Sequence, residues 1–105
     1  MTRLIVSRQA ETDIDEVLNY LEREAGVRTA RSYAERFRKS IELLTEFPGG
    51  GALRPALGPK ARISIVYPYV LIYDYDEGGD TLAILRIVHG RRNITKRLVL
   101  RTRNL

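Results

Sequence analysis

With 105 residues, 44% hydrophobic and 30% charged, the chain has the make-up of a soluble globular protein with one core. It has no cysteine and one histidine, which excludes a disulfide framework, a thiolate metal site and a conventional zinc site; no metal and no cofactor is expected. The net charge of +5 is uneven: residues 1–47 carry −1, residues 48–80 carry −1, and residues 81–105 carry +7 without a single acid.

The apolar run near the start, Leu4 to Val6, is too short for a signal peptide or a membrane span, so a cytoplasmic protein that meets no membrane is expected. Residues 3–6, RLIV, predict a short first strand. Ser7 is a helix N-cap candidate, and Glu11, Asp13, Asp15 and Glu16 suit the positive end of a helix dipole. Ala10, Ile14, Val17, Leu18 and Leu21 fall on one helical face, and Gly26 is a candidate terminator. A second helix is predicted from about Arg28 to Phe47, with Ala30, Tyr33, Ala34, Phe37, Ile41 and Leu44 inward and Pro48 as its stop. The pair reads as an antiparallel helical hairpin.

Residues 48–60, PGGGALRPALGPK, read as an ordered connection with little regular structure. From Ala61 the period becomes two. ARISIV (61–66) and YVLIYDY (69–75) are strands, residues 76–80 a hairpin turn, and TLAILRIVH (81–89) the last long strand. Arg86 interrupts that strand, so one of its faces is expected to reach solvent. The basic tail, about 90–105, has room for a short helix or strand around Ile94 to Leu100. The order β-α-α-β-β-β predicts an α+β two-layer fold over residues 1–105, a helical hairpin packed on a mostly antiparallel sheet.

His89 has two readings. It can serve as acid or base in metal-free RNA cleavage, with Arg62, Arg86 or Arg91 on the phosphate and Glu46 as an alternative base. It can also be a structural side chain at a strand end, with Gly90 as the pivot out of the sheet. No aromatic residue follows Tyr75, which argues against base stacking near His89. The basic block of Arg91, Arg92, Lys96, Arg97, Arg101 and Arg103 attracts a polyanion, and its plain alternative is a solubilising tail. Tyr67, Tyr69, Tyr73 and Tyr75 alternate onto one side, as sheet packing or as interface residues.

Several stretches in order resemble the ParE branch of the ParE/RelE superfamily of type II toxins, once described as plasmid stabilisation proteins. They are Ala10-Glu11-x-Asp13-Ile14, Tyr20-Leu21, Glu46-Phe47-Pro48, Arg54-Pro55-x-Leu57-Gly58, Arg62, Tyr69-x-x-x-Tyr73, and Ile84 to Arg92 ending in HGRR. The resemblance implies the RelE/ParE-like fold and a growth-arresting toxin held in a hetero-oligomeric complex by a ParD-like antitoxin. In such systems the antitoxin makes the DNA contacts, so DNA is expected to be met only indirectly. It implies DNA gyrase as the target, inhibited by binding without catalytic residues. The expected surface for target or antitoxin is Arg86, His89, Arg91, Arg92, Lys96, Arg97 and Tyr73. The alternatives are a ribosome-dependent mRNA interferase of RelE type, with His89, Arg62 and Arg91 in its site, and a non-toxic protein-binding module.

Overall fold

The computed structural model describes residues 2–103. Strand β1 (Arg3–Val6) leads through Ser7 into helix α1 (Arg8–Ala25). Ser7 caps that helix as its residue type predicts, its Oγ accepting the Ala10 N–H at 2.9 Å. Gly26, at φ +94°, turns the chain into α2 (Val27–Glu46), a conformation a side chain would strain. The long connection is more regular than expected. It holds 3₁₀ turns at Pro48–Gly50 and Pro55–Leu57 around a two-residue strand, β2 (Ala52–Leu53). Strands β3 (Ala61–Val66), β4 (Tyr69–Asp76) and β5 (Thr81–His89) follow, then a helical turn α3 (Lys96–Val99) running into a 3₁₀ turn at Leu100–Arg103.

The sheet order is β1-β5-β4-β3-β2. Only β1 runs parallel to its neighbour, as the first strand beside the last; the other pairs are antiparallel. The helical hairpin covers one face, packing Ala10, Phe37 and Leu44 onto Val66, Tyr69, Leu71, Tyr73, Leu82, Ile84 and Ile87. Each such large side chain contributes about 1.5–3 kcal/mol on burial.

On the other face the basic segment carries the short helix expected around Ile94 to Leu100, and it is packed down: Val99, with Ile94 and Leu98, lies on Leu57, Ala61, Val70, Ile72, Leu85 and Val88. One expectation is corrected there. Arg86 does not bring a strand face to solvent. Between Ile84, paired with Tyr73, and Ile87, paired with Leu71, β5 has two residues opposite Ile72. This bulge sets Leu85 and Arg86 together. The Arg86 side chain is 11% exposed and lies against Asp13, itself 6% exposed.

That bulge is also where β1 runs out. The parallel pairing ends at Val6 with Ile84, leaving the outer backbone of β5 beyond it without a strand. Side chains take over the ladder. Ser7 Oγ donates to the Leu85 carbonyl at 2.7 Å, and the Asp13 carboxylate accepts the Ile87 N–H at 2.9 Å. The same carboxylate accepts from Arg86 Nε at 2.8 Å and Nη2 at 3.0 Å. Asp13 therefore does not decorate the helix dipole as its position in α1 suggested.

The tyrosines divide. Tyr69, Tyr73 and Tyr75 face the helical hairpin, whereas Tyr67 falls in the β3–β4 turn and is 77% exposed, because alternation stops where the strand does.

Removing one partner of a buried, hydrogen-bonded ion pair leaves the other charge stranded. Asp13→Ala should therefore lower unfolding free energy by about 3–5 kcal/mol in urea titration. The double variant Asp13→Ala/Arg86→Met should recover only part of this, since the Ile87 amide stays unsatisfied.

Candidate functional site

Beyond β5 the chain folds over itself in a tight turn. The Gly90 N–H donates to the Pro68 carbonyl at 2.8 Å and the Arg92 N–H to the His89 carbonyl at 2.9 Å. A Cβ on Gly90 would sit 3.1 Å from that Pro68 oxygen, so the close approach favours glycine. The Arg91 N–H donates to His89 Nδ1 at 3.0 Å, which commits one ring nitrogen to the turn. Arg86 Nη1 reaches the Leu98 carbonyl at 3.3 Å, tying α3 to the bulge. At the far end, Arg103 Nε and Nη2 meet the Asp74 carboxylate at 2.7 and 2.9 Å. That hydrogen bond raises the Arg103 pKa and fastens the segment to β4.

Anchored this way, the segment turns Val99 and Thr102 inward and leaves Arg91, Arg92, Lys96, Arg97 and Arg101 exposed. Among the described residues, none of these five side chains forms a salt bridge. Between this cap and the start of α1 lies an open cleft of about 1100 Å³. Ile5, Val6, Arg8, Glu11 and Thr12 form one wall, and Arg92, Thr95, Arg97, Leu98 and Arg101 the other. Arg8 is the member that the sequence hid, since it lies outside the basic block and only the docking of α1 on β5 brings it there.

The ribonuclease set is not assembled. His89 pairs with Tyr69 at the start of β4, while Arg62 pairs with Tyr73 four residues on. At strand rise that is roughly 13 Å along the sheet. Arg62 is spent on the connection, donating to the Gly49 and Gly51 carbonyls at 3.0 and 2.8 Å. Glu46 is exposed at the end of α2. Arg91 adjoins His89 through its backbone.

His89 does have aromatic company, which comes from earlier in the chain. Its ring lies edge-on to Tyr69 at 5.7 Å, and Tyr69 touches Tyr33 at 5.8 Å and Phe37 at 5.7 Å. Arg36 stacks over Tyr33 at 4.6 Å and donates to the Tyr67 carbonyl at 3.2 Å. Counting aromatics after Tyr75 therefore missed neighbours that strand pairing supplies. Burial, then Tyr33 and Tyr20, raise the Tyr69 pKa.

Tyr73 is fully buried. Its hydroxyl accepts the Gly51 N–H at 2.9 Å and donates to the Pro48 carbonyl at 2.8 Å. A Cβ at Gly51 would fall on that hydroxyl and on the Ile63 carbonyl, so glycine is needed there. Tyr73 pins the loop from inside and, placed so, presents no surface to a partner. Arg86 is likewise turned inward, whereas Arg91, Arg92, Lys96, Arg97 and His89 are exposed.

The family described as "ParE toxin of type II toxin-antitoxin system, parDE" matches residues 4–94. Toxin ParE3 of Caulobacter vibrioides is 32% identical over 98 residues, which span 93% of this chain and 96% of that protein. Toxin ParE1 of the same organism is 31% identical over 88 residues, 84% and 88% of the two chains. A solved chain titled "Chromosomal ParDE TA system from P. aeruginosa" superposes with a TM-score of 0.70 at 23% identity, covering 85% of this chain and 96% of that one. At that identity it shows a common fold.

Tyr73→Phe should cost about 1–3 kcal/mol of stability in urea titration by orphaning the buried Gly51 amide. Burial also raises the Tyr69 and Tyr73 pKa above the ordinary value of 10. Their contribution to stability is therefore complete below about pH 10 and is lost as pH climbs towards the folded-state values. Tyrosinate absorbance during an alkaline titration should show these two ionising late, with or after unfolding.

Proposed function

The chain belongs to the ParE toxin family of type II toxin-antitoxin systems, and on that premise we propose that it arrests growth by binding DNA gyrase in the cytoplasm and is neutralised by a ParD-like antitoxin. The 105 residues act as one toxin unit. No helix among the described residues is long and apolar enough to cross a membrane. The contact surface is the exposed part of the cap, Arg91, Arg92, Lys96 and Arg97, with His89 beside it. Arg86 supports that surface from within through the Leu98 carbonyl, whereas Tyr73 holds the loop at residues 48–51 on the other face of the sheet.

One arrangement favours binding over cleavage. Cationic side chains stand outward on a folded cap, unpaired among the described residues, while His89 has a ring nitrogen engaged with the Arg91 amide and Arg62 is held elsewhere. General acid–base chemistry needs two proton-transfer groups converging on one point. Outward arginines with apolar backing instead suit an acidic partner segment that folds as it binds. In a hetero-oligomeric complex such a segment would come from the antitoxin.

Purified toxin at micromolar concentration should inhibit gyrase supercoiling and accumulate cleaved DNA, and antitoxin should reverse both. Arg91→Ala/Arg92→Ala should weaken inhibition by about tenfold, the loss expected from one substantial interface contact. Full supercoiling at saturating toxin would overturn the gyrase reading. A second reading, a RelE-type mRNA interferase, draws on the aromatic neighbours of His89. It requires codon-positioned cuts in translated messages that disappear in His89→Ala; the gyrase reading expects intact messages.

A further inference from the structure

We propose that the cleft between the start of α1 and the C-terminal cap binds the phosphodiester backbone of duplex DNA. This goes beyond the expectation that the toxin meets DNA only through its antitoxin, and it does not depend on gyrase being the target.

The lining is one-sided in charge. Five arginines, at positions 8, 86, 92, 97 and 101, face a single acid, Glu11. Arg86 is neutralised by Asp13, but Arg8, Arg92, Arg97 and Arg101 form no ion pair among the described residues. Four guanidinium groups gathered around one concavity repel each other unless an anion lies between them. An opening of about 1100 Å³ is far larger than a lone phosphate needs and admits a run of them.

The chemistry of the lining separates backbone from base. Guanidinium groups form paired hydrogen bonds with phosphate oxygens, and Asn93 and Thr95 add neutral donors. Among the described residues, no tyrosine, phenylalanine or histidine lines the cleft, so it lacks the aromatic platforms on which single-strand binders stack successive bases. A site that grips phosphates without touching bases takes a duplex, whose bases are already stacked, and is indifferent to sequence. The positive end of α1, which opens into the same cleft, adds to the field.

The site is a product of the fold. Arg8 and Arg101 stand at opposite ends of the chain and meet because Ser7 and Asp13 dock α1 on β5 while Arg86 holds α3. A generic cationic tail would contain no such first-helix residue.

The test uses the toxin alone, so failure of gyrase inhibition leaves it intact. Fluorescence anisotropy of a labelled duplex of arbitrary sequence is followed as a function of salt. Arg8→Ala, Arg97→Ala and Arg101→Ala should each reduce the slope of log affinity against log salt by about 0.9, the value for one lost phosphate contact. Arg8→Lys should restore the slope. Arg28→Ala and Arg31→Ala, exposed on α2 and outside the cleft, should leave it unchanged. Circular dichroism checks that each variant is folded. Equal losses in the α2 controls would mean diffuse charge and overturn the proposal. So would tighter binding of single strands than of duplex, or capture of an acidic peptide such as poly-glutamate with none of duplex.

Discussion

A single carboxylate holds three parts of this molecule in register. Where β1 stops, the outer backbone of β5 would meet only the flank of a helix, and a helix has no backbone groups to offer sideways. Asp13 supplies what the missing strand would have given, an acceptor for the Ile87 amide, and its second task is to neutralise Arg86. Arg86 in turn reaches the Leu98 carbonyl, so the chain of contacts runs from α1 through the bulge to the cap. Burying a charge this deeply is costly, and the cost is offset because the carboxylate accepts four hydrogen bonds, two from Arg86 and one each from the Ile87 amide and Gln9 Nε2. Among the described residues, no buried side-chain polar atom lacks a hydrogen-bond partner.

The cap resolves a conflict that charge alone would create. A sheet face bearing Val70, Ile72, Leu85 and Val88 needs an apolar cover, yet the segment available for it, residues 90–105, carries six cations and no acid. A short helical turn separates the two demands. Val99 and Leu98 point in, and Lys96, Arg97 and Arg101 point out, within about one and a half turns. Core and contact surface are two sides of the same few residues. The surface can change its charges without disturbing the core, provided the Arg103–Asp74 clasp stays closed.

What was legible in the sequence was local. Ser7 before an amphipathic run, Gly26 between two such runs, and the switch to alternation at Ala61 each act within a few residues, so the helices and the main strands could be read directly. The family pattern added their arrangement. What stayed hidden depends on pairings across the chain. An acid near the start of a helix looks the same whether it faces solvent or accepts from a strand 74 residues away. Arg86 in an apolar run looked like an exposed face because nothing adjacent announces its partner. The bulge, the Tyr73 hydroxyl inside the Gly51 loop, the aromatic neighbours of His89 and the recruitment of Arg8 share that origin. The short strand β2 escaped notice because two residues show no period.

The parallel pairing of β1 with β5 has a consequence for how the protein comes into being. The first strand made is completed by the last, and the Ser7 hydroxyl waits for a carbonyl 78 positions downstream. During synthesis the helical hairpin can form early and meet β3 and β4, but the docking of α1 through Ser7 and Asp13 waits until β5 has cleared the ribosome. The cap and the cleft form only once β5 and the residues that follow it are available, so the working surface is set after the core strands rather than with the helices.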